Sequence, residues 1–403
     1  MEKINKKRTL IQTALICMPI LSMYGFSSWS FASILILVLG IYGCFKSQNV
    51  NCVPMLLLLL VADAAIVHIF TDSTFRIPLS ALQVFLCYVA FWYFITPYSI
   101  DRYLSIYKKI SIYIVIFFYI QYFSFHVLNY RISGVIPGLP IYENLSLDIN
   151  TWLQNHNLSD RFSSLFSEPS YLCRFIIPLI ALEMYSINKI NWKLVLFLSI
   201  PLLLTLSGTG ILVFVALVLF WYLNTISYKD TKSIVRIFAV TIGIVITYFI
   251  VINSDIGQMI IDRQSEMNAD YAGGSKSGVF RLWRGYAVFA EYPLKLQIFG
   301  TDNIYEIRNY EMRTIYGQLL VNSNNFYNGL STLLLRQGYI GLIIFLLFIC
   351  QIWKKVSITG KAIVICYVVY MLCESVYPGE RLASYLVIAS CLTKINAKRL
   401  CVK

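Results

Sequence analysis

Apolar runs follow one another along almost the whole chain. Those long enough, or nearly long enough, to cross a bilayer fall at about 10–26, 29–45, 53–70, 79–96, 110–127, 170–187, 194–207, 209–225, 236–252, 338–353, 362–377 and 383–393. A transmembrane helix needs roughly 20 apolar residues, or fewer where flanking side chains snorkel. So much apolar surface does not fit inside a water-soluble core. Of 403 residues 58% are hydrophobic and 13% charged, against about 25% charged in soluble domains. The pattern predicts an all-α integral membrane protein, one polytopic domain over 1–403 with about 12 transmembrane helices. The basic stretch Met1–Arg8 ahead of the first run resembles a signal peptide, but no small-residue cleavage site follows. The run reads as a retained first span.

The stretch 194–225 decides the topology. Ser207-Gly208-Thr209-Gly210 reads as a tight turn, which makes two spans of it. With the N-terminus inside, the inner segments then hold 20 of the 33 basic residues against only Glu2, Asp101 and Asp230. That is the positive-inside pattern. A single span there would invert every later loop and destroy it. Both termini are therefore expected in the cytoplasm, and the net charge of +13 is mainly a topology signal. No basic-aromatic patch or binding motif points to nucleic acid; the lipid bilayer is the expected partner. The ten cysteines lie in or beside apolar runs, without metal-ligand spacing, and the three histidines are scattered. No disulfide framework, structural zinc, haem or other cofactor is expected.

Two loops are long, 128–169 and 253–337, and both face outward in this topology. Long ordered loops usually carry function. The first contains His156 and Arg161, then Glu168-Pro169-Ser170 where the chain re-enters the membrane, with Pro169 suited to a helix start. In the second, Ser277–Tyr292 reads as an amphipathic helix ended by Pro293. Its expected apolar face is Val279, Phe280, Trp283, Ala287 and Ala290, with Arg281 and Arg284 neighbours on the other side. Asn322–Gln337 reads as a second such helix leading into the tenth span.

The kind of positive charge differs between the two sides. The inner set is 16 Lys and 4 Arg; the remaining 13 basic residues are 11 Arg and 2 Lys. Lysine suffices where charge alone matters, whereas arginine offers a planar fork that grips phosphate or carboxylate. The outer arginines either pair with the loops' own acids or bind an anionic substrate. Within the spans, Asp63 and Arg174 cost about 2.5–3.5 kcal/mol each on insertion scales, and such residues face a cavity or a partner. Glu183, nearer the inner face, snorkels toward Lys189.

Three local signatures carry a family resemblance: Arg161 followed by Glu168-Pro169-Ser170-Tyr171; the Ser207–Gly210 turn; and a series from Arg281-Leu282-Trp283-Arg284 through Phe299-Gly300-Thr301-Asp302 and Asn324-Asn325-Phe326 to Gly338-Tyr339-Ile340-Gly341. With a dozen spans and two outward loops, the chain resembles the bacterial O-antigen polymerases, in the superfamily that also holds the O-antigen ligases. Family members commonly have a His-Asn pair where Asn324-Asn325 stands, and the departure weighs against ligase. The resemblance implies a GT-C-like glycosyltransferase in the bacterial inner membrane with a periplasmic active site. It also implies substrates that are oligosaccharide repeats on undecaprenyl diphosphate, and a separate chain-length regulator as partner.

A departing lipid diphosphate develops negative charge, which preorganised cations stabilise. No Asp-x-Asp pair occurs in the chain, which disfavours a metal-clamped route. On this reading Arg161, Arg281 and Arg284 bind the diphosphate and Glu168 is the base that accepts the acceptor hydroxyl's proton. His156 is the rival base. Arg174, Arg313 and Arg336 assist in substrate binding, and Asn325 holds a sugar hydroxyl. The alternatives are a ligase, which differs only in acceptor, and a transporter of lipid-linked sugar. The transporter reading is disfavoured because no internal repeat is visible and the charges cluster outside rather than near the midplane.

Overall fold

The computed structural model describes residues 2–26, 29–46, 56, 58–63, 66–67, 79–96, 99–142, 162–186, 190–205, 207–225, 280–314, 327–374 and 380–393. The long helices in order are α1 (Glu2–Leu21), α2 (Phe31–Lys46), α3 (Leu79–Phe94), α4 (Ile100–Leu128), α5 (Pro169–Met184), α6 (Trp192–Leu204) and α7 (Gly208–Thr225). A π-helical turn, Phe280–Arg284, then leads into three short helices, α8 (Gly285–Ala290), α9 (Leu294–Phe299) and α10 (Ile304–Glu311). The chain closes with α11 (Gly329–Lys355), α12 (Ile358–Cys373) and α13 (Glu380–Cys391). Ten of the twelve expected spans coincide with one of these helices. The third is seen only as helical turns at 58–63 and 66–67, and the ninth, 236–252, lies outside the described residues. Among the described residues two helices, α4 and α11, are long and apolar enough to cross a membrane, and several apolar helices are shorter.

The helices begin and end where local chemistry dictates. Asn191, Asn328 and Ser357 each accept a backbone N–H of the first turn of α6, α11 and α12. Asn129 closes α4 in the left-handed conformation, φ 50°, donating its N–H to Phe125 O while Tyr130 N donates to Ser124 O. Helix α12 is central, packed on α5, α7, α11 and α13, and α13 in turn packs on α1 and α3. The outer surface of the bundle carries apolar stripes at helical spacing. Tyr113, Ile116, Ile120, Phe123 and Val127 form one along α4, and Leu212, Val215, Leu219 and Leu223 form another along α7, all exposed. Water penalises continuous apolar stripes of this kind and lipid accommodates them.

The two ends of the bundle differ in chemistry. At one end Arg8 bonds Thr96, Lys108 pairs with Glu183, and the Val356↔Thr393 bridge joins α12's start to α13's end. Glu183 thus answers Lys108, where Lys189 was expected; residues 187–189 lie outside the described set. At the other end all-helical structure gives way to a small antiparallel pair, β1 (Gly25–Phe26) and β2 (Trp29–Ser30), with Tyr24 bridged to Ile141 in the first long loop. The same end holds the N-termini of α5, α7 and α11 and the C-terminus of α12.

Candidate functional site

Arg174 lies in the second turn of α5, buried, and forms an ion pair with Glu374, the residue capping the C-terminus of α12. Both are almost inaccessible, 6% and 3% exposed. Their pairing offsets a desolvation cost that neither charge alone sustains. Glu374 also accepts the Thr209 hydroxyl at 2.6 Å, and its carbonyl accepts Gly329 N at 2.7 Å. One acid therefore ties the starts of α5, α7 and α11 to the end of α12. The close approach of α7 depends on Gly210, whose added Cβ would lie 2.5 Å from Cys173 Sγ. On its other side Arg174 donates to Ser170 Oγ at 3.4 Å, and Ser170 donates to Glu168 at 3.3 Å. Glu168 is exposed, in extended conformation ahead of α5, and makes no side-chain cap bond to the helix. A polar chain thus runs from an exposed carboxylate through a hydroxyl and a buried guanidinium to a buried acid and a second hydroxyl.

Pro178 shapes the helix beneath this cluster. A proline lacks the N–H that would bond the carbonyl four residues back, and that carbonyl belongs to Arg174. The Tyr385 hydroxyl of α13 supplies the missing donor at 2.5 Å, and the Tyr107 hydroxyl of α4 donates to the Phe175 carbonyl. A cavity of about 30 Å³ lies at this distortion, lined by Arg174, Tyr171, Tyr385 and Ser384 on its polar side. The Arg174 guanidinium stacks on the Tyr171 ring at 4.2 Å. Its Nε and Nη1 are buried with no hydrogen-bond partner among the described residues.

A second cluster shares the start of α11. Arg284, 2% exposed, pairs with Glu311 at the end of α10 and lies over the Tyr327 ring at 5.4 Å. Burial raises the Tyr327 pKa and Glu311 raises it further, while Arg284 acts in the opposite sense; the phenol stays neutral near pH 7. Asn328 accepts Ser331 N at 2.7 Å and donates to Leu282 O at 3.2 Å, clamping the π turn to α11. Gly285 allows that contact, since a Cβ there would lie 2.2 Å from Ser331 Oγ. The buried face of α8 is Arg284, Gly285, Val288, Phe289 and Tyr292. The expected apolar face is therefore corrected. Trp283 is 58% exposed and Ala290 also faces out, because the π turn adds a residue per turn and brings Arg284, not Trp283, round to the core. Helix α11 also starts later than expected, at Gly329, with residues 315–326 outside the described set.

The remaining signature residues form a glycine interlock. Gly338 (φ 60°) kinks α11, and an added Cβ would lie 2.3 Å from Ile298 O; Gly300 (φ 77°) sits equally close to the Arg336–Gln337 backbone. Thr301 N donates to Leu335 O at 2.8 Å, and Arg336 pairs with Asp302 at 3.3 Å. Arg336, like Arg284, thus takes the loop's own acid as partner. Arg313 is exposed, with its guanidinium 4.8 Å from the Tyr310 ring. Asp63 is buried beside Gln337 and Gly341, with no arginine beside it among the described residues. Arg161, His156 and Asn325 lie outside the described residues, as does the side chain of Arg281, whose backbone lies in the π turn. Sequence reasoning missed Glu374. Its signal was an acid inside the apolar stretch 362–377, toward the end where Arg174 also falls. Among the described residues no group of three His, Cys, Asp or Glu side chains is placed to hold a metal ion.

Known proteins single out the same part of the chain. Residues 140–267 match the family model described as WcaD colanic acid polymerase. Over that stretch this chain is similar to a polysaccharide polymerase. The match covers about a third of the chain and includes Glu168, Arg174 and Thr209, the α5–α7 half of the Arg174 cluster. The match supports a polysaccharide polymerase family. A comparison with curated proteins gave no match.

Proposed function

We propose that this protein is a polysaccharide polymerase of the O-antigen type, embedded in the bacterial inner membrane by about twelve spans with both termini cytoplasmic. Its donor is a glycan chain on undecaprenyl diphosphate and its acceptor a newly arrived lipid-linked repeat at the outer face. The observation that carries this reading is convergence. Stretches about 45 to 200 residues apart in sequence meet at one end of the bundle around Arg174 and Glu374, and the polymerase match falls on the part that contributes Glu168, Arg174 and Thr209.

In the reaction an acceptor hydroxyl oxygen forms a bond to the donor's anomeric carbon. The bond from that carbon to the diphosphate oxygen breaks, and its electron pair leaves with the lipid diphosphate. Glu168, exposed at the rim, accepts the hydroxyl proton, with His156 as the rival for that role. Arg161 and Arg281 are the cations assigned to the diphosphate, so the reaction proceeds without a metal clamp. Arg284 serves by holding the π turn that carries Arg281, Arg336 holds the loop against α11, and Arg174 organises the rim beneath Glu168. Asn325 holds a sugar hydroxyl, and a chain-length regulator is the expected protein partner. The test is the surface-polysaccharide ladder of cells lacking the gene. Collapse to core plus a single repeat supports the polymerase. Long chains stranded on the carrier lipid would make it a ligase, and a complete absence of external repeats would make it a transporter.

A further inference from the structure

The short helices after the π turn leave an exposed surface that the proposed reaction does not use. Leu294 is 72% exposed, Ile304 56% and Tyr305 81%, a high share of apolar exposure for a loop. These residues sit level with a boundary in α11. Arg336 is the last charged residue before the apolar stretch 339–350, and Gly338 marks the kink between the two parts. Helix α9 abuts that kink through Ile298. The start of α10 is held there by Thr301, which bonds both Leu335 O and Glu306, and by the Asp302–Arg336 pair. Below the boundary Ile343 and Leu347 of α11 are exposed apolar residues, as lipid-facing positions would be.

The charge beside this surface leans positive. Glu311 pairs with Arg284 and Asp302 with Arg336, while Glu306 keeps its charge as it accepts the Thr301 hydroxyl. Lys295, Arg308 and Arg313 lie exposed, against the exposed Glu291 and the half-buried Glu306. Aromatic and aliphatic side chains interleaved with basic ones are the composition of helices that lie in a membrane interface. We infer that α9 and α10 rest on the outer leaflet, with Leu294, Ile304 and Tyr305 in the headgroup–acyl boundary and Lys295, Arg308 and Arg313 against anionic lipid phosphates. This inference rests on the membrane orientation of α11 in the proposed function and not on the polymerase chemistry. It adds a reason for the loop to be where it is, since its arginines then meet a lipid diphosphate at the depth at which the bilayer presents it.

The experiment uses the full chain in phosphatidylglycerol–phosphatidylethanolamine vesicles. A nitroxide is attached through a genetically encoded keto side chain, which leaves the ten native cysteines in place. Labels at positions 294, 304 and 305 are compared with 343 and 347 as lipid references and with 139, in the first outer loop, as the aqueous one. The expected result is high collision with oxygen and low collision with a nickel chelate at 294, 304 and 305, as at 343 and 347. The pair Arg308→Glu and Arg313→Glu is expected to raise nickel access at 304 several-fold. Nickel access at 304 and 305 equal to that at 139 overturns the inference and leaves the span intact. Protection from both reagents also overturns it, by showing a protein covering the surface. Aqueous behaviour at 343 and 347 removes the membrane orientation itself.

Discussion

At the scale of single residues the structure shows two arginines, Arg174 and Arg284, that hold the protein together. Arg174 and Arg284 each face a buried acid, and removing one partner of such a pair costs about 3–5 kcal/mol. Glu374→Ala is therefore expected to lower the thermal unfolding midpoint of the detergent-solubilised protein sharply. The double variant Arg174→Leu with Glu374→Leu should recover most of that loss without restoring polysaccharide chain growth. An unchanged midpoint in Glu374→Ala would show that the pair contributes nothing to stability. Glu168, exposed and without a cap bond, should behave in the opposite way. Glu168→Gln keeps the midpoint and collapses the ladder to single repeats, and a full ladder in that variant removes Glu168 as the base. Arg281→Lys is expected to stop chain growth with the protein still in the membrane, because lysine lacks the bidentate fork. Arg284→Lys should instead reduce the amount of folded protein. The sequence alone could not make this division, since Arg281 and Arg284 stand three residues apart in the same signature. What brings Arg284 to the core is the phase of a π turn, which no hydrophobic period announces.

At the scale of elements the apolar periodicity made the helices legible, and most expected spans have a helix where the pattern placed it. The Ser207–Gly210 turn was readable for the same reason: glycine and serine interrupt an apolar run where two helices must part. The short helices of the second loop were less so, because their faces depend on the kink and on partners far along the chain. Gly338 and Gly300 illustrate this. As sequence they are two glycines in loose signatures, whereas in the fold each takes a positive φ and lets one backbone approach the other. Gly338→Ala adds a Cβ 2.3 Å from Ile298 O in a conformation costly for any other residue. It is expected to undo the seat of α9 on α11 while sparing the bundle. Limited proteolysis would read this as new cleavage within 290–315 and an unchanged pattern around α5. Uniform loss of all helices would show that the interlock supports the whole fold, and no change would show that it supports nothing.

At the scale of the whole molecule the question is which way the bundle faces. The positive-inside argument and the structure bear on it independently. The first depends only on where lysine and arginine fall. The second brings Lys46, Lys108, Lys193, Lys354 and Lys361 to the helix ends opposite the Arg174 cluster, through contacts such as Lys108–Glu183 and Val356↔Thr393. Lysine-rich ends tolerate loose, hydrated contacts with headgroups, whereas the other end buries Arg174 and Arg284 in ion pairs. Under the proposed function that end meets the carrier lipid on the side where repeats are displayed. Fusions of alkaline phosphatase, active only outside, and of green fluorescent protein, fluorescent only inside, decide the matter. Fusions after residues 139 and 305 should give phosphatase activity, and those after 46, 190 and 356 fluorescence. A fusion after 206 is the critical one. It should be active as phosphatase, because α6 and α7 are separate crossings joined at the outer face. Fluorescence there would make 194–225 a single crossing, reverse α11 and α12, and set Thr209 at mid-membrane with Glu374 at the inner face, which their 2.6 Å hydrogen bond does not permit.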